Sequence, residues 1–263
     1  MEKKRVVTWS KENGIATILI DNPPVNVLSC AVVEQLTAVV DEIELDDEVI
    51  AVILTGAGEK AFVAGGDIKS FPDWIGKGIE YAEEKSLWLQ NPLNKIERLP
   101  KPVIAAINGL ALGGGCELAL SCDLRIIEEH AQIGLPEVKL GLFPGAGGTQ
   151  RLPRLIGTAS AKEMMFTGES LTAELSWRVG LVNHVVPRGE SLNKAKELAT
   201  KMARFSLPAL SLMKQSINNG LSFSLEEGLK IEAENFGHVF QTSDVREGVE
   251  AFIEKRVPIF HHK

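Results

Sequence analysis

Three short, mainly apolar runs recur along the chain and limit the class of fold that it can adopt. They are residues 49–54 (VIAVIL), 103–107 (VIAAI) and 124–127 (LRII). The first run shows no alternation with polar residues, as expected of a strand covered on both faces. Residues 29–46 and 81–96, which precede the first and second runs, carry apolar side chains at helical spacing. Repeated strand, turn and helix units of this kind predict an α/β fold with right-handed crossovers.

Both ends of the chain differ from this central pattern. Residues 6–9 and 15–20 are β-rich and flank the turn sequence Asn13-Gly14, which predicts a hairpin. Beyond about residue 145 the strand signals stop. Four helices are predicted in the last third, at 191–206, 207–219, 224–239 and 243–254. We therefore expect a core unit over residues 1–195 and a helical C-terminal region over residues 196–263.

Composition and charge argue against several classes of protein. The chain has 263 residues, 44% of them apolar, and a formal net charge of -7, which disfavours a nucleic-acid partner. Residues 1–5 show no targeting signal, and no apolar stretch is long enough to span a membrane, so we expect a cytoplasmic protein. Cys30, Cys116 and Cys122 are too scattered for a disulfide framework or a metal site and are expected to be small buried thiols.

Two glutamates are the strongest candidates for chemistry. Glu117 runs straight into Leu118-Ala119-Leu120, and Glu137 is followed by several large apolar residues. Each acid therefore stands where a chain normally buries apolar side chains. Ionisable groups in apolar surroundings are usually paired, shifted in pKa or functional. Two carboxyl groups that meet in one pocket would suggest proton transfer on a bound substrate.

Two glycine-lined turns follow two of the predicted buried strands. Gly113-Gly114-Gly115 comes after residues 103–107 and enters a short helix, and the loop 64–66 comes after residues 49–54. Such turns can leave backbone N–H groups unpaired, and these donors favour developing negative charge on an oxygen. The alternatives are that the glycines only allow close helix–strand packing, or that the second loop is a surface turn. With the two glutamates, the pattern favours proton transfer next to a carbonyl.

Other chemistries fit the sequence badly. No dinucleotide fingerprint, phosphate-binding P-loop or nucleophile elbow can be read. The glycine-rich run 145–149 follows Phe143-Pro144 rather than a strand, which disfavours a dinucleotide site there. The five histidines form no metal set, so no metal is expected.

Several segments together resemble the enoyl-CoA hydratase/isomerase (crotonase) superfamily, and they cover nearly the whole chain in order. They are 61–69 (AFVAGGDIK), 104–119 (IAAINGLALGGGCELA), 135–137 (LPE), 141–151 (GLFPGAGGTQR) and 247–252 (EGVEAF). The resemblance implies a spiral of ββα units, a C-terminal helical region used in trimerisation, and an acyl-CoA thioester as substrate.

The resemblance also implies roles for individual residues. The backbone N–H groups of Gly66 and Gly114 would form the oxyanion hole; Gly66 stands where alanine is more usual. Glu117 would activate a water molecule for attack on the β-carbon, and Glu137 would deliver a proton to the α-carbon. Having both acids favours hydration of a trans-2-enoyl-CoA to a 3-hydroxyacyl-CoA, of the fatty-acid β-oxidation type. A Δ3,Δ2-enoyl-CoA isomerase and a branched-chain (3-methylglutaconyl-type) hydratase remain alternatives.

The resemblance finally suggests where coenzyme A binds and how the chain assembles. Its implied substrate contacts are Val25, Val27, Ala64, Gly66, Asp67, Ile68, Lys69, Gly114 and Phe260. Phe260 would reach the coenzyme A of a neighbouring subunit, although His261 stands where lysine is common. Coenzyme A is expected only as part of the substrate, with no other cofactor, in a homotrimer or dimer of trimers.

Two further segments bear on the resemblance. The aromatic-containing segment 70–92 would line the acyl pocket, unless its aromatic side chains serve only in helix packing. Some relatives bind RNA through a lysine-rich helix, but residues 34–48 are acidic and contain no lysine, a composition that repels phosphate.

Overall fold

Residues 5–263, the part of the chain that the computed structural model describes, contain ten strands and ten α-helices. Residues 1–4, where most of the segment read for a targeting signal lies, fall outside the described residues. The strands are β1 (Val7–Glu12), β2 (Ile15–Ile20), β3 (Ala51–Gly56), β4 (Ala61–Ala64), β5 (Val103–Ile107), β6 (Leu110–Leu112), β7 (Leu124–Glu128), β8 (Gln132–Gly134), β9 (Leu171–Thr172) and β10 (His184–Val186).

The α-helices lie between and after these strands, with two short 3-10 helices at Ile68–Asp73 and Glu137–Leu140. They are α1 (Cys30–Leu45), α2 (Ile79–Arg98), α3 (Gly114–Leu120), α4 (Gly148–Ile156), α5 (Thr158–Thr167), α6 (Ala173–Arg178), α7 (Ser191–Met202), α8 (Leu207–Gly220), α9 (Leu225–Val239) and α10 (Ser243–Glu254).

From β3 to β8, consecutive strands fall alternately into two sheets. One sheet has the order β1-β2-β3-β5-β7-β10 and is parallel except for the β1–β2 hairpin. The other has the order β4-β6-β8-β9, with β4, β6 and β8 parallel. The chain therefore makes the same step three times, from β3 to β4, β5 to β6 and β7 to β8. Because helices follow these steps, the predicted spiral of ββα units is confirmed.

The core explains why the central runs lack alternation. Every residue of β3 and β5 is buried. Val52 and Leu54 face the main core together with helix α1, whereas Ile53 and Ile104 pack on the opposite face against Ala195 of α7. A strand covered on both faces needs apolar side chains at every position. Each large aliphatic side chain buried this way contributes about 1.5–3 kcal/mol.

Three predictions about local structure are wrong. Strands do occur beyond residue 145, but β9 and β10 have only two and three residues and so carry no readable pattern. The helix predicted over 191–206 ends at Met202, and Ser206 instead accepts the N–H of Ala209 as the N-cap of α8. Cys30 is exposed at the first position of α1, whereas Cys116 and Cys122 are buried as predicted.

The C-terminal helices extend beyond the sheets. Helices α8 and α9 pack on each other, and Ser224 and Glu227 form a capping box at the start of α9. The division of the chain at residue 195 stays a prediction; helix α7 runs across that position. Within residues 5–263, no helix combines the length and apolar character that crossing a membrane requires.

Candidate active site

The candidate residues follow the ends of three neighbouring parallel strands. Gly66 follows β4, Gly114 follows β6 and Glu137 follows β8. Strand β6 pairs with both β4 and β8 in parallel. Because the carboxyl ends of parallel strands share one edge of a sheet, the fold brings these three residues together. This edge is where open-sheet α/β proteins commonly bind ligands.

The glycine turns bring two backbone donors close to each other. A Cβ atom built on Gly114 would lie 3.7 Å from the backbone nitrogen of Gly66. Gly114 is the first residue of α3, where a backbone N–H has no acceptor within the helix. Among residues 5–263, no oxygen accepts either the Gly66 or the Gly114 N–H. Two unused donors side by side can polarise a carbonyl oxygen.

The three consecutive glycines differ in what the structure requires of them, and close helix–strand packing accounts for one of them. A Cβ on Gly115 would overlap the carbonyl oxygen of Val63, so this glycine allows α3 to pack against β4. Gly113 has a φ of 54°, in the left-handed region that favours glycine. Gly114, between them, presents an N–H that no oxygen among residues 5–263 accepts.

Glu117 lies one turn further along α3 and is 2% exposed. Its Oε1 accepts the N–H of Ala146 at 2.7 Å and the N–H of Gly148 at 2.8 Å. Burial raises the pKa of this carboxyl to about 7, although the two N–H donors oppose the rise. No residue among 5–263 donates to Oε2, so this oxygen is the one able to meet water or substrate.

Glu137 faces the same space from the other side. Its Oε1 lies 3.0 Å from where a Cβ of Gly113 would stand, and its Oε2 is buried without a partner among the described residues. Burial raises the pKa of Glu137, and its charge in turn contributes to the raised pKa of Glu117. Both acids thus adjoin the same glycine turn, Glu137 beside Gly113 and Glu117 on the helix that begins at Gly114.

One prediction about the surroundings of Glu137 is wrong. Its apolar neighbours in sequence, Val138, Leu140, Leu142 and Phe143, are exposed rather than buried. They belong to or follow a 3-10 helix at the surface. The carboxyl is buried because its side chain points toward the glycine turn and not because its own segment enters the core.

Seven of the residues predicted for coenzyme A lie in two segments, 25–27 and 64–69, that backbone contacts hold side by side. The Ala64 N–H donates to the Val25 carbonyl at 3.0 Å, and residues Leu28 and Gly66 form a parallel bridge. Val27 lies between these contacts. The Asp67 carboxylate accepts the Lys69 N–H, so it caps the short helix in which Ile68 and Lys69 are exposed.

Phe260 is not among the residues that these contacts bring together. It lies in the C-terminal tail, and its ring packs beside Gly248 of α10. Its predicted contact with another subunit stays a prediction.

A model described as enoyl-CoA hydratase/isomerase matches residues 10–263. The chain belongs to the enoyl-CoA hydratase/isomerase family. It is 45% identical to the short-chain-enoyl-CoA hydratase of Clostridium acetobutylicum, over 97% of each chain, and 41% identical to the crotonyl-CoA hydratase of Syntrophomonas wolfei, over 98% of each. The crystal structure of an enoyl-CoA hydratase from Bacillus anthracis superposes with a TM-score of 0.93 at 41% identity, covering 98% of this chain and 100% of that one.

Membership of this family confirms the predicted crotonase-like fold and the prediction that the chain is an enzyme of the enoyl-CoA hydratase type. The structure also shows where part of the aromatic-containing segment 70–92 lies. The rings of Phe71 and Trp74 stack with centroids 4.5 Å apart, and they border the same small cavity as Gly66, Trp88 and Leu89. These aromatic side chains therefore line a space beside the glycine turns rather than serving only in helix packing.

The functional element that sequence reasoning missed is the loop 145–148. No strand precedes this run in the sequence, and the family resemblance gives it no role of its own. The structure shows that its N–H groups are the partners of Glu117. One signal could have revealed it: a buried carboxylate requires donors, and a glycine-rich run with no other assigned purpose can supply backbone N–H groups.

Proposed function

We propose that this protein catalyses the hydration of a short-chain trans-2-enoyl-CoA to the 3-hydroxyacyl-CoA. The observation that carries the proposal is the placement of two carboxyl groups, Glu117 and Glu137, beside the glycine turns that carry the unused N–H groups of Gly66 and Gly114. Two relatives, a short-chain-enoyl-CoA hydratase and a crotonyl-CoA hydratase, support the same reaction and a short acyl chain.

The thioester oxygen would accept both glycine N–H groups. This withdraws electron density from the conjugated double bond and makes the β-carbon a better electrophile. It also stabilises the enolate that forms when an oxygen nucleophile adds there. Backbone donors held by helix and strand need no reorganisation during the reaction, which is why such a site is effective.

Glu117 would act as the base. A carboxyl group with a pKa near the working pH can both accept and return a proton. It takes one proton from water as the water oxygen bonds to the β-carbon, and Glu137 gives a proton to the α-carbon. The two acids thus exchange protonation states in each turnover, and proton transfer between site and solvent restores them.

We also propose the setting in which the reaction occurs. The substrate would carry coenzyme A along the segments 25–27 and 64–69, in a cytoplasmic enzyme of β-oxidation type. Apolar side chains exposed on α8, α9 and α10 support assembly into a homotrimer or dimer of trimers.

The test is the loss of absorbance of the conjugated thioester when the protein is added to crotonyl-CoA. We expect turnover with crotonyl-CoA, declining for longer 2-enoyl-CoA substrates. The absence of hydration at every chain length with folded protein would contradict the proposal. Movement of the double bond in a 3-enoyl-CoA without hydration would instead indicate the isomerase. Turnover only of 3-methylglutaconyl-CoA would indicate the branched-chain hydratase.

A further inference from the structure

One peptide group connects helix α2 to the Glu117 carboxylate. It is the peptide between Gly145 and Ala146. Its N–H donates to Glu117 Oε1 at 2.7 Å. Its carbonyl oxygen accepts the Ser86 hydroxyl at 2.7 Å and the Gln90 side-chain N–H at 3.0 Å. The same planar unit is therefore held at both ends.

The geometry of the peptide group makes these contacts interdependent. The C=O and N–H of a trans peptide point in opposite directions and cannot rotate separately. Two donors on the Gly145 oxygen therefore fix the direction of the Ala146 N–H. They also draw electron density toward that oxygen, which makes the N–H a stronger donor. Ser86 and Gln90 thus influence the carboxylate without touching it.

Ser86 and Gln90 belong to a polar stripe on α2 that continues with Asn94 and Glu97. Spacings of four, four and three residues place all four on one helix face. Asn94 and Glu97 both accept from the Arg151 guanidinium at 2.7 Å. The stripe is partly buried, and its four side chains all point at the loop 145–148 or at Arg151.

Arg151 holds the loop from its other side. Its Nη1 donates to the carbonyl oxygen of Ala146 at 3.2 Å, while its other nitrogens bind the stripe. A Cβ on Gly147 would overlap the same guanidinium, so the glycine leaves room for it. The loop that carries the two N–H donors for Glu117 is therefore held by hydrogen bonds to two consecutive carbonyl groups, those of Gly145 and Ala146.

We propose that Ser86 and Gln90 are positioning residues for the Glu117 carboxylate, acting through the Gly145–Ala146 peptide group. The inference rests on the proposed function, since it assigns Glu117 the role of base. Other ionisable groups that face Glu117 are Glu137, Cys116 and Arg151, the last paired with Glu97. None of them is altered by substitution at residues 86 or 90.

The experiment compares Ser86→Ala, Gln90→Met and the double variant with wild type. We expect kcat to fall about 10-fold or more in the double variant, with KM changed less than about twofold, because the base is misaligned and substrate contacts are intact. The acid limb of the kcat/KM profile should move to higher pH by roughly half a unit to one unit, because the carboxylate has lost part of its stabilisation. Each single variant should give a kcat and an acid limb between those of wild type and the double variant.

Ser211→Ala is the matched control. The Ser211 hydroxyl also donates to a backbone carbonyl, that of Pro100, at 2.8 Å from a partly buried helix position. Its loss should lower Tm as much as Ser86→Ala does and leave the pH profile in place. Equal pH profiles in the double variant and this control would overturn the inference, as would a change in KM alone.

A titration that does not need catalysis separates the inference from the proposed function. Carbon-13 in the glutamate side-chain carboxyls allows the Glu117 signal to be assigned by its loss in Glu117→Gln. We expect its titration midpoint to be higher in each variant, Ser86→Ala included, and unchanged in Ser211→Ala. An unchanged midpoint in the folded variants would refute the inference even if the wild type hydrates crotonyl-CoA. A shifted midpoint without hydratase activity would refute only the proposed function.

Discussion

Glu117 combines two opposing requirements at a single residue. A buried carboxyl resists ionisation, and burial raises its pKa from 4.5 to about 7. Such a shift corresponds to about 3 kcal/mol of stability lost when the group is ionised in the folded protein. The donors from Ala146 and Gly148 limit that loss. In the proposed mechanism, a base with a pKa near neutral pH is therefore maintained at the expense of stability.

This conflict predicts that Glu117→Gln stabilises the protein while removing its activity. A raised acid pKa means that the folded state binds the extra proton between pH 4.5 and about 7, so stability declines as pH rises through that window. Because the glutamine amide does not ionise, the stability of the variant does not decline in this way. We expect the variant to gain roughly 2–3 kcal/mol at pH 8 and less than about 1 kcal/mol at pH 5.

Denaturant unfolding at the two pH values checks this expectation. Glu137→Gln is a useful comparison, since that carboxyl is less deeply buried and should give a smaller gain. A Glu117→Gln variant that is less stable than wild type at pH 8 would contradict the account.

Two glycines at the site should respond in opposite ways to alanine. A Cβ on Gly66 would meet only the Phe71 ring, at 3.7 Å, and its φ needs no glycine. Gly66→Ala should therefore keep its N–H donor and its activity within about threefold, at a cost typical of neutral substitutions. Gly115→Ala would overlap the Val63 carbonyl and should lower both Tm and kcat. Thermal melts and crotonyl-CoA kinetics on both variants test this prediction. Equal changes in Tm and kcat in the two variants would contradict it.

At the scale of elements, what the sequence predicts depends on how strongly local pattern and final environment agree. Strands β3 and β5 are readable because both faces are buried and every position is apolar. Helix α3 can be recognised in the sequence because the glycine run and Glu117 interrupt a largely apolar stretch. Strands β9 and β10 are too short to show a period, and their pairing is supplied by strands already in place.

The same reasoning explains the misread parts of the site. The loop 145–148 acquires its role only when α3 and α4 meet, and no local pattern encodes that contact. Cys30 looks like a buried thiol by type, but the first position of a helix faces outward here. The apolar side chains that follow Glu137 in the sequence are exposed in the single chain. Each of these errors concerns contacts between distant segments.

We propose that the 3-10 helix Ile68–Asp73 and the middle of α2 set the size of the acyl pocket. Phe71 and Trp74 stack beside Gly66, and Trp88 closes the same cavity from α2. Replacing Phe71 or Trp74 by alanine should open the space next to the thioester site. We expect the ratio of kcat/KM for an eight-carbon over a four-carbon substrate to rise about 10-fold, the scale of a few added methylenes in a pocket.

A substrate-length series on each variant provides this measurement. Tyr81→Ala is the control, because Tyr81 stands earlier on α2 and does not border the cavity. An unchanged ratio in both pocket variants would show that other residues set the acyl length.

At the scale of the whole molecule, one chain leaves a large apolar surface uncovered. The C-terminal region exposes Phe223, Phe236, Phe240 and Phe252, and the rings of Phe236 and Phe240 contact each other. Clusters of exposed large apolar side chains mark protein–protein contact sites. We therefore expect trimers or hexamers in sedimentation velocity.

Phe236→Glu should shift the assembly toward monomers, because a charge would be buried in the contact. Lys230→Glu changes an exposed residue of the same helix and serves as the control. A monomeric wild-type protein would contradict the expected assembly.

The addition of water by two carboxyl groups is the central claim, and oxygen-18 water tests it most directly. Crotonyl-CoA is incubated with the enzyme in labelled water, and the product is analysed by mass spectrometry. We predict one oxygen-18 atom on C3 of 3-hydroxybutyryl-CoA, formed at least ~10²-fold more slowly by Glu117→Gln and by Glu137→Gln. Failure to label C3, or labelling at the wild-type rate without either acid, would contradict the mechanism.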